Sequence, residues 1–253
     1  MDAQYVQQYQ KLWHNHWWWQ ARQRLIMEKV GKLLPSRSVG EPPPLLLDIG
    51  CGGGVAFPDL SRFGDIYGLE PDPQLAESVS PSWRGHVEQA YFHANYQNDR
   101  RFDLILMLDV LEHIEDDRGA LSNVHRLLQP GGAYFMTVPA LPELWSAHDE
   151  VNHHFRRYER TALHNLLTEH GFIVEEMRYV FGWSIGLVYL RRLLSQRKAE
   201  SYQVNVPPRW FNAACYALSR MEEWITWGRG PFLGSSLMAI ARKPRSAALA
   251  LAA

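Results

Sequence analysis

From residue 45 to residue 180, short apolar runs of strand length alternate with stretches of helical periodicity, and this alternation restricts the fold more than any other feature. "LLLDIG" opens the series. It is apolar on successive residues, the pattern of a strand covered on both faces. Residues 55–62 read as a short helix, "DIYGLE" (65–70) as a strand and 73–79 as a helix. After an irregular stretch come the strand "FDLILMLD" (102–109), an amphipathic helix over 116–128 and a turn at "QPGG" (129–132). A strand over 133–139, a helix over 161–170 closed by Gly171, the strand "FIVEEMRYV" and a last strand "SSLMAIARK" (235–243) complete it. Such repetition predicts an α/β fold, a doubly wound, mostly parallel sheet with helices on both faces.

The two ends depart from that rhythm. Tyr5, Tyr9, Leu12, Trp13 and His16 recur at helical spacing, and Leu25, Ile26 and Val30 continue it, so residues 1–36 are expected to be helical. "PSRSVGEPPP" (35–44) is a linker, because proline cannot continue a helix. Residues 182–233 interrupt the core before its last strand, dividing it into 45–181 and 234–244. Within that insertion, Trp210, Ala214, Leu218, Met221 and Ile225 form one stripe of an amphipathic helix over 209–227. The tail "RSAALALAA" is of low complexity and expected to fray, and no internal repeat is visible.

Composition narrows the class. The net charge of −1 conceals an asymmetry: residues 1–177 carry 15 Lys+Arg against 24 Asp+Glu, and the remainder 11 against 3. A basic, Trp-rich final third suits an anionic partner or a membrane surface. Its basic residues are interleaved with apolar ones, so a nucleic-acid partner is not expected. The two cysteines, Cys51 and Cys215, fit a reduced chain instead of a disulfide framework. No apolar segment follows a basic start and the longest apolar run is short, so neither a secretory signal nor a spanning helix is expected. The expected location is the cytoplasm, with the inner membrane surface as the variant the basic third favours.

"DIGCGGG" places Asp48, Gly50, Gly52 and Gly54 directly after the first strand, where glycines let the backbone turn tightly and approach a ligand. The dinucleotide spacing G-x-G-x-x-G is not met; the pattern is D-x-G-x-G-x-G, with Glu70 closing the second strand 22 residues after Asp48. An acid there can accept both hydroxyls of a ribose. "LLDIGCGGG", "GLEPD", "FDLILMLDVLEHI" and "LLQPGGAYFMTVP", in that order across residues 45–180, resemble the class I S-adenosylmethionine-dependent methyltransferases. The resemblance implies S-adenosyl-L-methionine as cofactor. It would put Gly50, Cys51 and Gly52 under the methionine part, Asp48 near its amino group, Glu70 with Pro71 at the ribose, and Asp109 and Val110 beside the methyl donor. The acid that many relatives use for adenine has no clear counterpart among Glu88, Gln89 and Asn95. Cys51 reads as a small residue packed under the cofactor.

"LWSAHDEVNHHFRRYE" (144–159) begins where the strand over 133–139 ends, the side on which parallel sheets bind ligands. His148 with Asp149 reads as a base and its orienting acid, and His154 competes as base. Arg156 and Arg157 suit a carboxylate or phosphate, with Tyr158 donating to the same anion. Helix entry, with Arg157 or Tyr158 pairing Glu159 or Glu169, is the alternative. Asp149 and His153 would share a helix face, but without an H-E-x-x-H pattern or cysteine support no metal is expected. His113 is either a cofactor-side residue or a helix-start histidine bonded to backbone.

"HWWWQAR" suggests a lid helix, with Trp18 or His16 touching the cofactor. For 182–233, a substrate cap ranks ahead of a membrane platform or a dimer face. The expected function is methyl transfer to a small or lipid-linked, acidic or hydroxylated acceptor. The competing readings are an enzyme that reuses the cofactor site for another reaction and a catalytically silent cofactor-binding scaffold.

Overall fold

The computed structural model of the protein describes residues 11–34, 40–187, 189, 206–226 and 229–245. Expectations for Tyr5 and Tyr9, for residues 35–39 of the linker, for most of 188–205 and for the tail lie outside the described residues.

Seven strands form one sheet: β1 (Leu45–Ile49), β2 (Asp65–Leu69), β3 (Val87–Glu88), β4 (Phe102–Leu108), β5 (Leu128–Pro139), β6 (Ile173–Val180) and β7 (Ser236–Arg242). Their order is β3-β2-β1-β4-β5-β7-β6, and every pairing is parallel except the two made by β7. The winding reverses between β1 and β4, which opens a crevice outside their carboxyl ends, the usual ligand position in such sheets.

The helices are α1 (Trp17–Leu33), α2 (Phe57–Leu60), α3 (Pro73–Ser78), α4 (Asp117–Leu127), α5 (Ala147–Val151), α6 (Arg160–Glu169) and α7 (Arg209–Ile225). Strand periodicity assigns them to two layers. Leu104 and Leu106 of β4 join Ile26, Val30, Phe57 and Leu60 on the α1–α2 face. Ile105 and Met107, pointing the other way, join Leu121, Val124, Leu163 and Leu167 of α4 and α6. Each fully buried aliphatic side chain contributes about 1.5–3 kcal/mol, so β4, covered on both faces, anchors both layers. Local chemistry sets the helix ends. Asp72 accepts the amides of Gln74 and Leu75 at the start of α3, and Asp116 accepts Gly119 N at the start of α4. Gly171, at φ +81°, follows α6 in the left-handed conformation that a side chain would strain.

Three sequence expectations are corrected. "QPGG" is not a free turn but part of β5, where pairing slips from Phe102↔Leu128 to Leu104↔Ala133 and the extra residues bulge. The helix expected over 55–62 is one turn, Phe57–Leu60. Asp149 and His153 share no helix face, because His153 lies beyond α5 at φ 56°.

The stripe on α7 faces outward. Trp210, Leu218, Met221, Trp224 and Ile225 are 74, 38, 49, 79 and 56% exposed. The opposite, polar side holds the helix down: Asn212 accepts Trp17 N at 2.7 Å and donates to Asn15 O, while Ser219 and Glu222 accept from Trp183. No helix among the described residues is long and apolar enough to cross a membrane.

Candidate active site

The first wall of the crevice is the loop after β1. Gly50, at φ +74°, packs so closely that a Cβ would meet Val110 Cγ2 at 2.4 Å, which ties the loop to the residue following β4. The amides of Gly50 and Cys51 both donate to Leu69 O. Glu70, buried at the end of β2, accepts Gly52 N at 2.8 Å through one oxygen and Asp72 N at 2.9 Å through the other. Burial pushes its carboxyl up, and the two amide donors oppose that shift. Pro71, half-buried, follows it. Asp48 is buried at the end of β1; desolvation, opposed by Arg22, raises its carboxyl to about 7. Cys51 is buried, its Sγ next to Gly68, and burial pushes its thiol up, so it is packing and not a ready nucleophile. Glu88 accepts from Tyr96 Oη at 2.7 Å; Gln89 and Asn95 follow on exposed or half-exposed loop.

The second wall follows β4. Asp109 has φ 58° and meets Arg22 Nη2 at 2.5 Å; the same guanidinium donates to Thr137 Oγ1 at 3.2 Å. Arg22 is buried and lies over the Trp18 ring, 5.2 Å from its centroid. His16 caps α1 by accepting Trp18 N, and burial lowers its imidazole to about 4. The N-terminal helix is therefore tied to the residue after β4 through Arg22. Sequence reasoning assigned Arg22 no role, although its position four residues after Trp18 put both on one helix face.

In the turn Leu111–His113, Glu112 is 1% exposed and its Oε2 has no hydrogen-bond partner among the described residues. Burial and the neighbouring Asp109 push its carboxyl well above the carboxylate range. The His113 ring stands edge-on to His154, centroids 4.6 Å apart, and burial lowers its imidazole.

Asp149 organises the third wall. It is fully buried on α5. One oxygen accepts Ser146 N and Oγ, and the other accepts His154 Nδ1 and Arg157 Nε, both at 2.8 Å. Burial alone would raise this carboxyl, but the donors from His154 and Arg157 hold it at about 2. The acid thus orients His154 and not His148, whose ring lies 6.1 Å from that of His154 and whose Nδ1 contacts Asn152 Nδ2. The expected anion clamp is engaged internally. Arg157 also donates to Ala140 O, Arg156 pairs with Asp117 at 2.7 Å and donates to Glu115 O, and Tyr158 donates to Asp117. Neither Glu159 nor Glu169 is the partner; Glu169 pairs with Arg118. Asp117 and Glu112 carry no signal in one sequence beyond their acidity.

Two groups could thus hold a ligand. The glycine loop sets the carboxylates of Glu70 and Asp48 side by side at the ends of β1 and β2, a donor set that suits ribose hydroxyls and an ammonium. Glu112, His113 and His154 present ligand atoms all within 4.8 Å of one another, a separation a single cation can bridge. A groove of 510 Å³ lined by Gln20, Gln23, Arg24, Met27, Asp59 and Tyr216 gathers no such acid–base set.

Known proteins point the same way. A ubiquinone biosynthesis O-methyltransferase of Coxiella burnetii is 29% identical over 128 residues, 47% of this chain and 48% of its own. Its counterpart in Cereibacter sphaeroides is 34% identical over 110 residues, 38% and 43%. The chain therefore matches less than half the length of these curated relatives. A solved S-adenosylmethionine-dependent methyltransferase from Thermotoga maritima superposes with a TM-score of 0.58 over 95% of this chain and 96% of its own, at 19% identity, which speaks for the fold. A methyltransferase-domain family matches residues 18–177, well over half of the sequence and the span that holds all three walls of the crevice, and the chain belongs to that family.

Proposed function

We propose that the protein transfers a methyl group from S-adenosylmethionine to a hydroxyl oxygen of a small, lipid-linked acceptor. What supports this reading is a carboxylate-bearing glycine loop at the ends of β1 and β2 together with an oriented imidazole packed against the turn that follows β4. Glu70 and Asp48 supply the carboxylates, and His154, fixed by Asp149, supplies the imidazole. Asp149 accepts only, so the His154 Nδ1 hydrogen points at it and the Nε2 lone pair is free for chemistry. The cofactor supplies an electrophilic methyl on a sulfonium. Glu70 would accept from the ribose hydroxyls and Asp48 would pair with the methionine ammonium. Asp109, locked by Arg22 and Thr137, and Val110 would border the methyl. The acceptor oxygen bonds to the methyl carbon as the methyl–sulfur bond breaks, and its proton passes to His154 Nε2. Alignment contributes roughly 7–11 kcal/mol in well-oriented cases, and proton removal adds roughly 10²–10⁴-fold.

Two observations support a lipid-linked acceptor: the names of the relatives and the outward stripe of α7. An apolar helix face in a sequence whose final third is rich in arginine suits an anionic membrane surface, from which such an acceptor would be drawn. The test uses methyl-labelled S-adenosylmethionine, the protein and a whole bacterial extract. Label entering the organic phase is expected. Label confined to the aqueous phase would replace the lipid-linked acceptor with a soluble one, and no label in either phase would end the methyl-transfer reading.

A further inference from the structure

Two histidines from separate segments and one buried acid converge beside the acceptor side of the crevice, with ligand atoms mutually within 4.8 Å. The His154 ring is already fixed from behind. It gives Nδ1 to Asp149 Oδ1 at 2.8 Å, and the His113 ring stands edge-on against it, centroids 4.6 Å apart. Histidines that bind metals show this outer contact, one ring nitrogen given to a carboxylate or a main-chain carbonyl. A second, independent observation is the buried Glu112 Oε2, which has no hydrogen-bond partner among the described residues. Buried polar oxygens in folded proteins are satisfied by a hydrogen bond, a water or an ion, and an orphan calls for a specific occupant.

We propose that Glu112, His113 and His154 bind a divalent transition-metal cation, and that the acceptor hydroxyl reaches a remaining position on it. Two imidazoles and one carboxylate suit zinc, manganese, iron(II) or cobalt(II); magnesium and calcium prefer sets made of oxygen alone. Three protein ligands leave room for a fourth, exchangeable one. A metal lowers the pKa of a bound water from 15.7 to about 7, and a bound hydroxyl is acidified in the same way. The hydroxyl proton passes to solvent water, the oxygen bonds to the methyl carbon, and the methyl–sulfur bond breaks to release S-adenosylhomocysteine. The inference rests on the hydroxyl reading of the acceptor and changes His154 from a direct base to a ligand.

The test titrates cobalt(II) chloride into tag-free, chelator-stripped protein, followed by visible d–d absorption, with zinc chloride titrated calorimetrically in parallel. One equivalent is expected. Glu112→Gln, His113→Gln and His154→Gln should each weaken binding by more than about 100-fold, and Asp149→Asn by about 10–100-fold, the usual effect of losing an outer-shell partner. His164→Gln, at an exposed position on α6, should leave it unchanged. Retained S-adenosylhomocysteine binding shows that each variant is folded. Absence of stoichiometric binding, or equal loss in His164→Gln, overturns the proposal. Labelled methyl transfer separates the two readings. Full turnover by stripped protein, with none by His154→Gln, removes the cation and leaves His154 as direct base. Full turnover by His154→Gln removes both.

Discussion

The two sides of the crevice are built by different means. The side proposed for the cofactor is made of backbone: glycines at positive φ, strand ends in register and one acid whose bonds span 2 and 18 residues. The side proposed for the acceptor is made of side chains brought together from afar. Both Arg156 and Tyr158 reach back 41 residues to the Glu115–Asp117 segment. A backbone cradle is carried by a short motif and tolerates variation outside it. A side-chain network has no motif and depends on every member, so its parts should fail together.

The largest expected effect falls on that network. Asp149→Ala leaves Arg157 buried without its charge partner, and breaking such a pair costs about 3–5 kcal/mol; the denaturant midpoint should fall accordingly. A loss under about 1 kcal/mol would mean that the acid is not the hub. On the cofactor side, Glu70→Ala removes hydrogen bonds to a charged acceptor. S-adenosylhomocysteine affinity should drop by roughly 30-fold, the equivalent of about 2 kcal/mol. Unchanged calorimetric affinity would separate Glu70 from the ribose.

Protonation gives a sharper contrast. Asp48 is raised by burial to about 7, above its ordinary value of 3.8. The folded state holds this proton more tightly than the unfolded chain, so its contribution favours folding at low pH and is lost as pH rises from about 4 to 7. An ammonium ligand needs the ionised form. Affinity for S-adenosylhomocysteine should therefore rise by up to about tenfold per pH unit below 7 and level off above it. Asp48→Asn should weaken binding and flatten that slope, and a wild-type profile flat from pH 5.5 to 8 would contradict the pairing. The smallest effect on stability is expected outside the crevice. Trp224 is 79% exposed, so Trp224→Glu should change stability by less than about 0.5 kcal/mol while reducing sedimentation with anionic vesicles. Equal sedimentation of both forms would take α7 out of the membrane reading.

The same contrast explains what was legible in the sequence. Burial on both faces of "LLLDIG" and "FDLILMLD" makes continuous apolar runs, so strands, order and loop could be read directly. The side-chain partners could not. Asp149 was paired with its neighbour His148, whereas the chain beyond α5 turns at His153, φ 56°, and swings His154 into place. Arg156 and Arg157 looked like a clamp because their partners, Asp117 and Asp149, sit 39 and 8 residues away with nothing local to mark them. The α7 stripe was visible as periodicity, but periodicity does not say whether an apolar face turns inward or out.

The most direct test of two separable sides is labelled methyl transfer by His154→Gln at saturating S-adenosylmethionine, run beside Glu70→Ala. His154→Gln should keep wild-type S-adenosylhomocysteine affinity and lose at least about 100-fold in turnover, while Glu70→Ala should lose affinity and recover most of its turnover when the cofactor saturates. Loss of affinity and turnover together in both variants would contradict the division of the crevice into a cofactor side and an acceptor side.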